Sequence, residues 1–297
     1  MPGRADTWIK GRLEMKMWRK VTGIALAAVM AISLAACAGG GTNAGGDPKG
    51  EPSQGSQPAA GPVEKIKARG KLLVGVKYDL NLFGLKDPAT GKVEGFDIDL
   101  AKAIAKKILG DENKIELKEV TSKTRIPMLK NGEIDMIVAT MTITEDRKKE
   151  IDFSDVYFMA GQSLLVKKDS KINGLADLPK GAKVVTAKGS TSAVNIREKA
   201  AGAQVLEFEN YAEAFTALKA GQGDALTTDN ALLYGMAKQD PNYRVVPETF
   251  TEEPYGIGMR QNEDELVKLV NSVIKEMKDN GEYDKLYEKW IGEKPKK

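Results

Sequence analysis

LKNGEIDMIVAT (residues 129–140) and LKAGQGDALTTD (residues 218–229) are two versions of one phrase. Each runs Leu-Lys-x-Gly-x-x-Asp into a strand-like stretch, which reads as a helix end, a stop and a strand. In the first copy Asn131-Gly132 suits the left-handed turn that closes a helix. A second echo precedes each phrase: KLLVGVK (71–77) is mirrored by AKVVTAK (182–188), two short strands that end in lysine before a loop. Two echoes in the same order describe two α/β lobes, each with an opening strand and a later helix–Gly–strand unit. Ligands of open α/β sheets sit beyond the carboxyl ends of the strands. That rule marks Lys77, Thr140, Lys188, Gly189, Ser190, Thr191 and Asp229 as candidate site positions.

Between the echoes, FDIDLAKAIAKKILG (96–110) sets Leu100, Ile104 and Ile108 on one helical face, with acids at its start, lysines near its end and Gly110 as the stop. A helix is expected over TSKTRIPMLKNG (121–132), followed by an apolar strand over IDMIVATMTI (134–143). Toward the C-terminus, Leu266, Leu269, Val270, Val273 and Met277 make a strongly amphipathic helix, and a shorter one follows and ends in Trp290.

The composition limits the chemistry. The 297 residues are 41% hydrophobic and 29% charged, which fits a globular protein of one large or two smaller domains. The chain has no histidine, so a Ser-His-Asp triad, a His-ligated zinc and an imidazole base are all excluded. Its formal charge of +3 comes from the leader, where Arg4, Lys10, Arg12, Lys16, Arg19 and Lys20 face Asp6 and Glu14 alone. No basic stripe interleaved with aromatics survives beyond it, and no nucleic-acid partner is expected.

The leader joins MKMWRK to VTGIALAAVMAISLAA and then to Cys37, the single cysteine. This run is a signal core rather than a membrane-spanning helix, which needs about 20 apolar residues. Leu34-Ala35-Ala36-Cys37 matches a lipobox, so residues 1–36 are expected to be removed and Cys37 to carry lipid. The Gly/Pro/Ser-rich stretch 37–62 cannot bury a core and is expected to be a tether. The folded part should begin near Val63.

In ATMTITEDR (139–147), hydroxyls at Thr140 and Thr142 close an apolar strand, and Thr144 is expected to cap the turn that follows. Arg147 is then the side chain suited to grip a carboxylate through two parallel hydrogen bonds. The loop Lys188-Gly189-Ser190-Thr191-Ser192 precedes a helix expected near Ala193, and it can bind an anion through backbone N–H groups or simply cap that helix. It lacks the Walker pattern, so no nucleotide hydrolysis is expected. Asp229, after Thr227-Thr228, can neutralise an ammonium. An anion site on one lobe and an acid on the other describe an α-amino acid. Lys77 and Arg125 add cations suited to an acidic ligand side chain, and Tyr78, Phe83 and Tyr255 are candidates for an apolar wall.

GFDIDLAKAIAKKI (95–108), TMTITEDRKKEIDFSDVYF (140–158) and NGEYDKLYEKW (280–290) together resemble the polar-amino-acid family of bacterial extracellular solute-binding proteins, which serve ABC importers. The resemblance runs from about Lys71 to Trp290. It implies an α/β, two-lobed periplasmic-binding-protein fold of type II with two hinge crossovers. Lobe 1 would comprise 63–157 and 256–297, lobe 2 would comprise 158–255, and the hinges would lie near 157–161 and 252–255. It also implies that Arg147, Thr140, Thr142, Ser190 and Thr191 hold the ligand α-carboxylate, that Asp229 and Thr140 receive the α-ammonium, and that Lys77 and Arg125 line the side-chain pocket. Cations there depart from the glutamine-binding pattern and favour glutamate or aspartate, with glutamine as the alternative. The expected partners are the amino acid, a membrane permease and the membrane through the Cys37 lipid. The receptor should be a monomer without metal or cofactor. A dehydratase or lyase on the same fold is the competing reading, although no catalytic acid pair stands out.

Overall fold

The computed structural model describes residues 60–295. The expected signal segment, Cys37 and nearly all of the tether therefore lie outside the described residues. The first element is the helix Pro62–Arg69, with proline in its first turn, where a missing N–H costs nothing. It buries Val63 and Ile66.

Two five-stranded sheets follow, with the same plan. In lobe 1 the order is Ile115–Glu119, Leu72–Val76, Met136–Ile137, Gly258–Met259, Asp152–Phe153. In lobe 2 it is Gln204–Phe208, Lys183–Ala187, Ala225–Asp229, Gln162–Lys167, Tyr243–Val245. In each sheet the first three strands are parallel, the fourth runs antiparallel to them, and the fifth pairs antiparallel with the fourth.

The echoed phrases occupy equivalent places, and their shared residues do the same work. Gly132 and Gly221 both have φ of 76°, a left-handed geometry that glycine takes without a Cβ clash. In each copy the glycine N–H and the next N–H close the helix on Leu129 and Met128, or on Leu218 and Ala217. The echoed acids then tie the new strand to the opening one. Asp135 Oδ2 accepts from the Leu73 N–H, and Asp224 Oδ2 accepts from the Lys183 N–H, each at 2.8 Å.

Two expected elements are shorter in the fold. The helix expected over 121–132 spans Arg125–Lys130, because Thr121 and Thr124 hydrogen-bond each other's backbone and hydroxyl groups in a turn that precedes it. The strand expected over 134–143 pairs as a strand at Met136–Ile137 alone. Thr140 turns left-handed (φ 44°), so the chain leaves the sheet before Thr142 bridges to Tyr255.

The chain crosses between lobes through Phe158–Ala160 and Glu253–Tyr255, which pair antiparallel with Glu253 opposite Ala160. Phe83, Phe96, Tyr157, Phe158, Tyr255, Tyr283 and Tyr287 pack around this ribbon. The Phe158 and Tyr255 rings stack at 5.5 Å, and Phe83 meets Phe158 edge-on at 5.2 Å. The C-terminal helices Asp264–Asp279 and Glu282–Ile291 return to lobe 1. Trp290 Nε1 donates to Asp99 on helix Phe96–Leu109 at 2.8 Å.

Candidate functional site

The carboxyl ends of the central strands of both sheets face one cleft, and the lobes touch across it. The Tyr211 N–H donates to Asp79 at 2.9 Å, and Asn81 Nδ2 donates to the Gly235 carbonyl at 3.2 Å. Gly189 backs so closely onto Lys123 that a Cβ there would lie 2.9 Å from the Lys123 Cα.

On the lobe 1 wall, Lys77 follows strand Leu72–Val76 and is 1% exposed, with its ammonium donating to Ser122 Oγ at 3.1 Å. Burial lowers this amine to about 8, an effect Asp79 opposes and Arg125 reinforces. Arg125 opens the short helix Arg125–Lys130 and is 3% exposed. Its guanidinium donates to the Ala139 carbonyl at 2.7 Å, and its Nε has no partner among the described residues. Burial, and then the nearby Arg147, push its pKa down.

Thr144 caps the one-turn helix Glu145–Lys148 that carries Arg147, accepting from the Arg147 N–H at 3.3 Å. The Arg147 guanidinium donates to the Thr142 carbonyl at 2.7 Å and, across the cleft, to the Gly189 carbonyl at 3.4 Å. Each of these uses one of its five donor positions. By contrast, Lys148 and Lys149 are exposed and pair with Glu145 and Asp146.

On the lobe 2 wall, Asp229 is the last residue of strand Ala225–Asp229 and is 5% exposed. Tyr255 donates to its Oδ2, while Oδ1 is buried without a partner among the described residues. Burial first, and the neighbouring Glu253 second, raise this carboxyl to about 7. Ser190 caps helix Thr191–Lys199, and its hydroxyl donates to the Ala187 carbonyl at 2.7 Å while accepting from the Ala193 N–H. The hydroxyl is therefore engaged within its own loop. The candidate wall residues Phe83 and Tyr255 belong to the buried aromatic cluster, and Tyr78 donates to the Leu117 carbonyl.

Two buried acids complete the site and escape the reading of the sequence given above. Asp97 accepts from the Thr140 N–H at 2.8 Å and from the Tyr157 hydroxyl at 2.9 Å, so it holds the left-handed turn at Thr140. Burial raises it to about 7, although both hydrogen bonds work against the rise. Its spacing carries a signal: Leu100, Ala101 and Ile104 follow at three, four and seven residues, so Asp97 sits on the inward face of its helix. Glu253, 2% exposed at the start of a crossover strand, accepts from the Thr142 hydroxyl at 2.7 Å, the Thr191 hydroxyl at 2.9 Å and Asn195 Nδ2 at 3.0 Å. In sequence it is one of two adjacent glutamates before a proline in the expected hinge 252–255, and nothing local marks it as a site residue.

The cleft thus gathers a guanidinium with free donors, a carboxylate oxygen on the opposite lobe that is unpartnered among the described residues, and the cations Lys77, Arg125 and half-buried Arg147 against the buried acids Asp97, Asp229 and Glu253. Such a set is chemically suited to a small zwitterion between two walls. Residues 72–293 match the model of the bacterial extracellular solute-binding proteins, family 3. A glutamine-binding protein of Geobacillus stearothermophilus is 70% identical over 84% of this chain and 94% of its own. The ABC transporter glutamine-binding protein GlnH of Bacillus subtilis is 60% identical over 93% of this chain and 99% of its own. Among solved structures, an ancestral arginine-binding protein bound to glutamine is 50% identical, with a TM-score of 0.71 over 76% of this chain and 99% of its own. The chain belongs to the bacterial extracellular solute-binding proteins, family 3.

Proposed function

We propose that this protein is the extracytoplasmic glutamine receptor of an ABC importer. The observation that carries the ligand choice is the charge balance of the buried site. Lys77, Arg125 and Arg147 stand against Asp97, Asp229 and Glu253, and half-buried Asp79 adds a further acid beside Lys77. With these acids ionised, as Asp229 must be to hold an ammonium, no positive surplus is left for an acidic side chain, so the glutamate or aspartate expected from Lys77 and Arg125 alone is the weaker reading. A side-chain carboxylate would enter a desolvated site uncompensated. The amide of glutamine adds no charge, and its carbonyl can accept from the spare donors of Lys77 and Arg125. The two relatives named for glutamine, at 70% and 60% identity, support the same choice.

In this reading Arg147 grips the α-carboxylate and Asp229 receives the α-ammonium. Closure of residues 63–157 and 256–297 onto residues 158–255, about the segments 157–161 and 252–255, presents the loaded form to a membrane permease. Ligand bridging both walls stabilises the closed state by its differential contacts. Cys37 carries the lipid that keeps the receptor at the membrane, and Cys37→Ser would release it from the membrane fraction. Calorimetric titration tests the ligand: glutamine should bind at least about tenfold more tightly than glutamate, a difference of ~1.4 kcal/mol. Equal or tighter glutamate binding would overturn this choice.

A further inference from the structure

Glu253 sits where the crossover strand meets both walls, and its hydrogen bonds form a closed ring. Asn195 Nδ2 donates to Glu253 Oε1 and to Gln162 Oε1, each at 3.0 Å, and Gln162 Nε2 donates to the Thr191 hydroxyl at 3.0 Å. Thr191 in turn donates to Glu253 Oε2, which also accepts from Thr142. A hydroxyl has one proton and two lone pairs. With that proton on Glu253, the oxygens of Thr142 and Thr191 have lone pairs left and nothing to donate. They cannot act as donors to a ligand carboxylate, the role the sequence suggested for both. They can accept from an ammonium.

We infer that Glu253 is a positioning residue that makes the Thr142 and Thr191 hydroxyls acceptors for the ligand ammonium and places a second negative charge beside Asp229. This deepens the amino-acid reading and rests on it, since Asp229 meets the ammonium there. Two features of the geometry support it. The acid is 2% exposed, and every hydrogen bond it accepts through its side chain comes from a side chain of the cleft or of the ring behind it. Its charge is also felt at Asp229, where it is the second cause, after burial, of the raised carboxyl. The other charged or titratable groups facing Asp229 are Arg125, Arg147, Tyr255 and Tyr211. Carboxylate grip is then left to the Arg147 guanidinium and to backbone N–H groups.

The test is Glu253→Gln in the full chain, with glutamine affinity measured between pH 5.5 and 8.5. The variant removes the charge and lets the ring of amides reverse, so the Thr191 proton can turn elsewhere. Glutamine affinity at pH 8 should fall by about tenfold or more, and the pH midpoint of binding should move down because Asp229 loses its repelling neighbour. A variant that binds within twofold of the parent at pH 8 overturns the inference. So does a weakened variant whose midpoint is unmoved, since a merely structural role would behave that way. If Glu253→Gln fails to fold, Thr191→Val and Thr191→Ser decide instead. Valine should weaken glutamine several-fold while serine restores it, and equal affinities for both would count against the inference. A parent protein that binds no amino acid would defeat the underlying reading and is distinguishable from all of these results.

Discussion

Burial and the Glu253 charge raise Asp229 to about 7, while an ammonium ligand needs the ionised carboxylate. Below that value the ligand-free site holds a proton that binding must expel. Glutamine affinity should therefore fall by up to about tenfold per pH unit as pH drops from 7 toward 5 and level off above 8, which calorimetry across that range would read. Stability without ligand should run the other way. A carboxyl whose folded pKa lies above its unfolded value stabilises fully below the unfolded pKa, and that contribution is lost as pH rises through about 7. Asp97, also near 7, acts in the same direction. The ligand-free protein should thus melt lower at pH 8 than at pH 5, and the rise in melting temperature on adding glutamine should be larger at pH 8. Asp229→Asn should abolish binding and raise the ligand-free melting temperature at pH 8. Arg147 provides a second test, because it holds its position through the Thr142 carbonyl and the Thr144 cap while keeping donors free. Arg147→Ala should weaken glutamine by about 30-fold or more, in line with ~2–5 kcal/mol for a desolvated charge pair. Unchanged calorimetric binding would remove Arg147 from the site.

Helix ends and strand ends carry the second level of the design, and two glycines separate its structural from its functional demands. Gly132 and Gly189 have nearly the same left-handed φ, 76° and 72°. A Cβ on Gly132 would meet nothing within 4 Å among the described residues, whereas one on Gly189 would strike the Lys123 backbone across the cleft. Gly132→Ala should cost about 1 kcal/mol of stability through backbone strain and leave glutamine affinity unchanged. Gly189→Ala carries the same strain and also props the walls apart, so it should weaken binding as well. Denaturant melts together with titrations separate the two, and equal affinity losses would contradict the closed contact. Much of this level is legible in the sequence, because the echoed Leu-Lys-x-Gly-x-x-Asp encodes local chemistry: a left-handed stop and an acid that pins the next strand. The site is less legible where a residue's role depends on its place in three dimensions. Asp229 closes a strand and Arg147 follows the cap at Thr144, and both can be read from those local signals. Ser190 reads equally as cap or ligand, and its hydroxyl is used as a cap. Lys77 and Arg125 suggest an acidic ligand until Asp97 and Glu253, brought in by a helix face and a crossover strand, balance their charge.

For the whole molecule the question is what a ligand adds when both walls already touch. Asp79 at the Tyr211 N–H, Asn81 at Gly235 and Arg147 at Gly189 are interlobe contacts made by protein groups alone. Some closed form should therefore be populated without ligand, and glutamine would shift that population rather than create the state. Loosening the contacts remote from the ligand should lower apparent affinity by the fraction of closed form lost, with no ligand contact removed. Asp79→Ala makes a suitable probe, although Asp79 also tunes the charge of Lys77. Asn81→Ala removes a contact to a helix carbonyl and a local bond from the Leu82 N–H but no charge, so it leaves Lys77 untouched. We expect Asn81→Ala to weaken glutamine by several-fold, to enlarge the radius of gyration of the ligand-free protein in solution scattering, and to leave the glutamine-saturated radius unchanged. If the ligand-free radius stayed the same while affinity fell, the contact would be acting on the bound complex rather than on the population of the closed form.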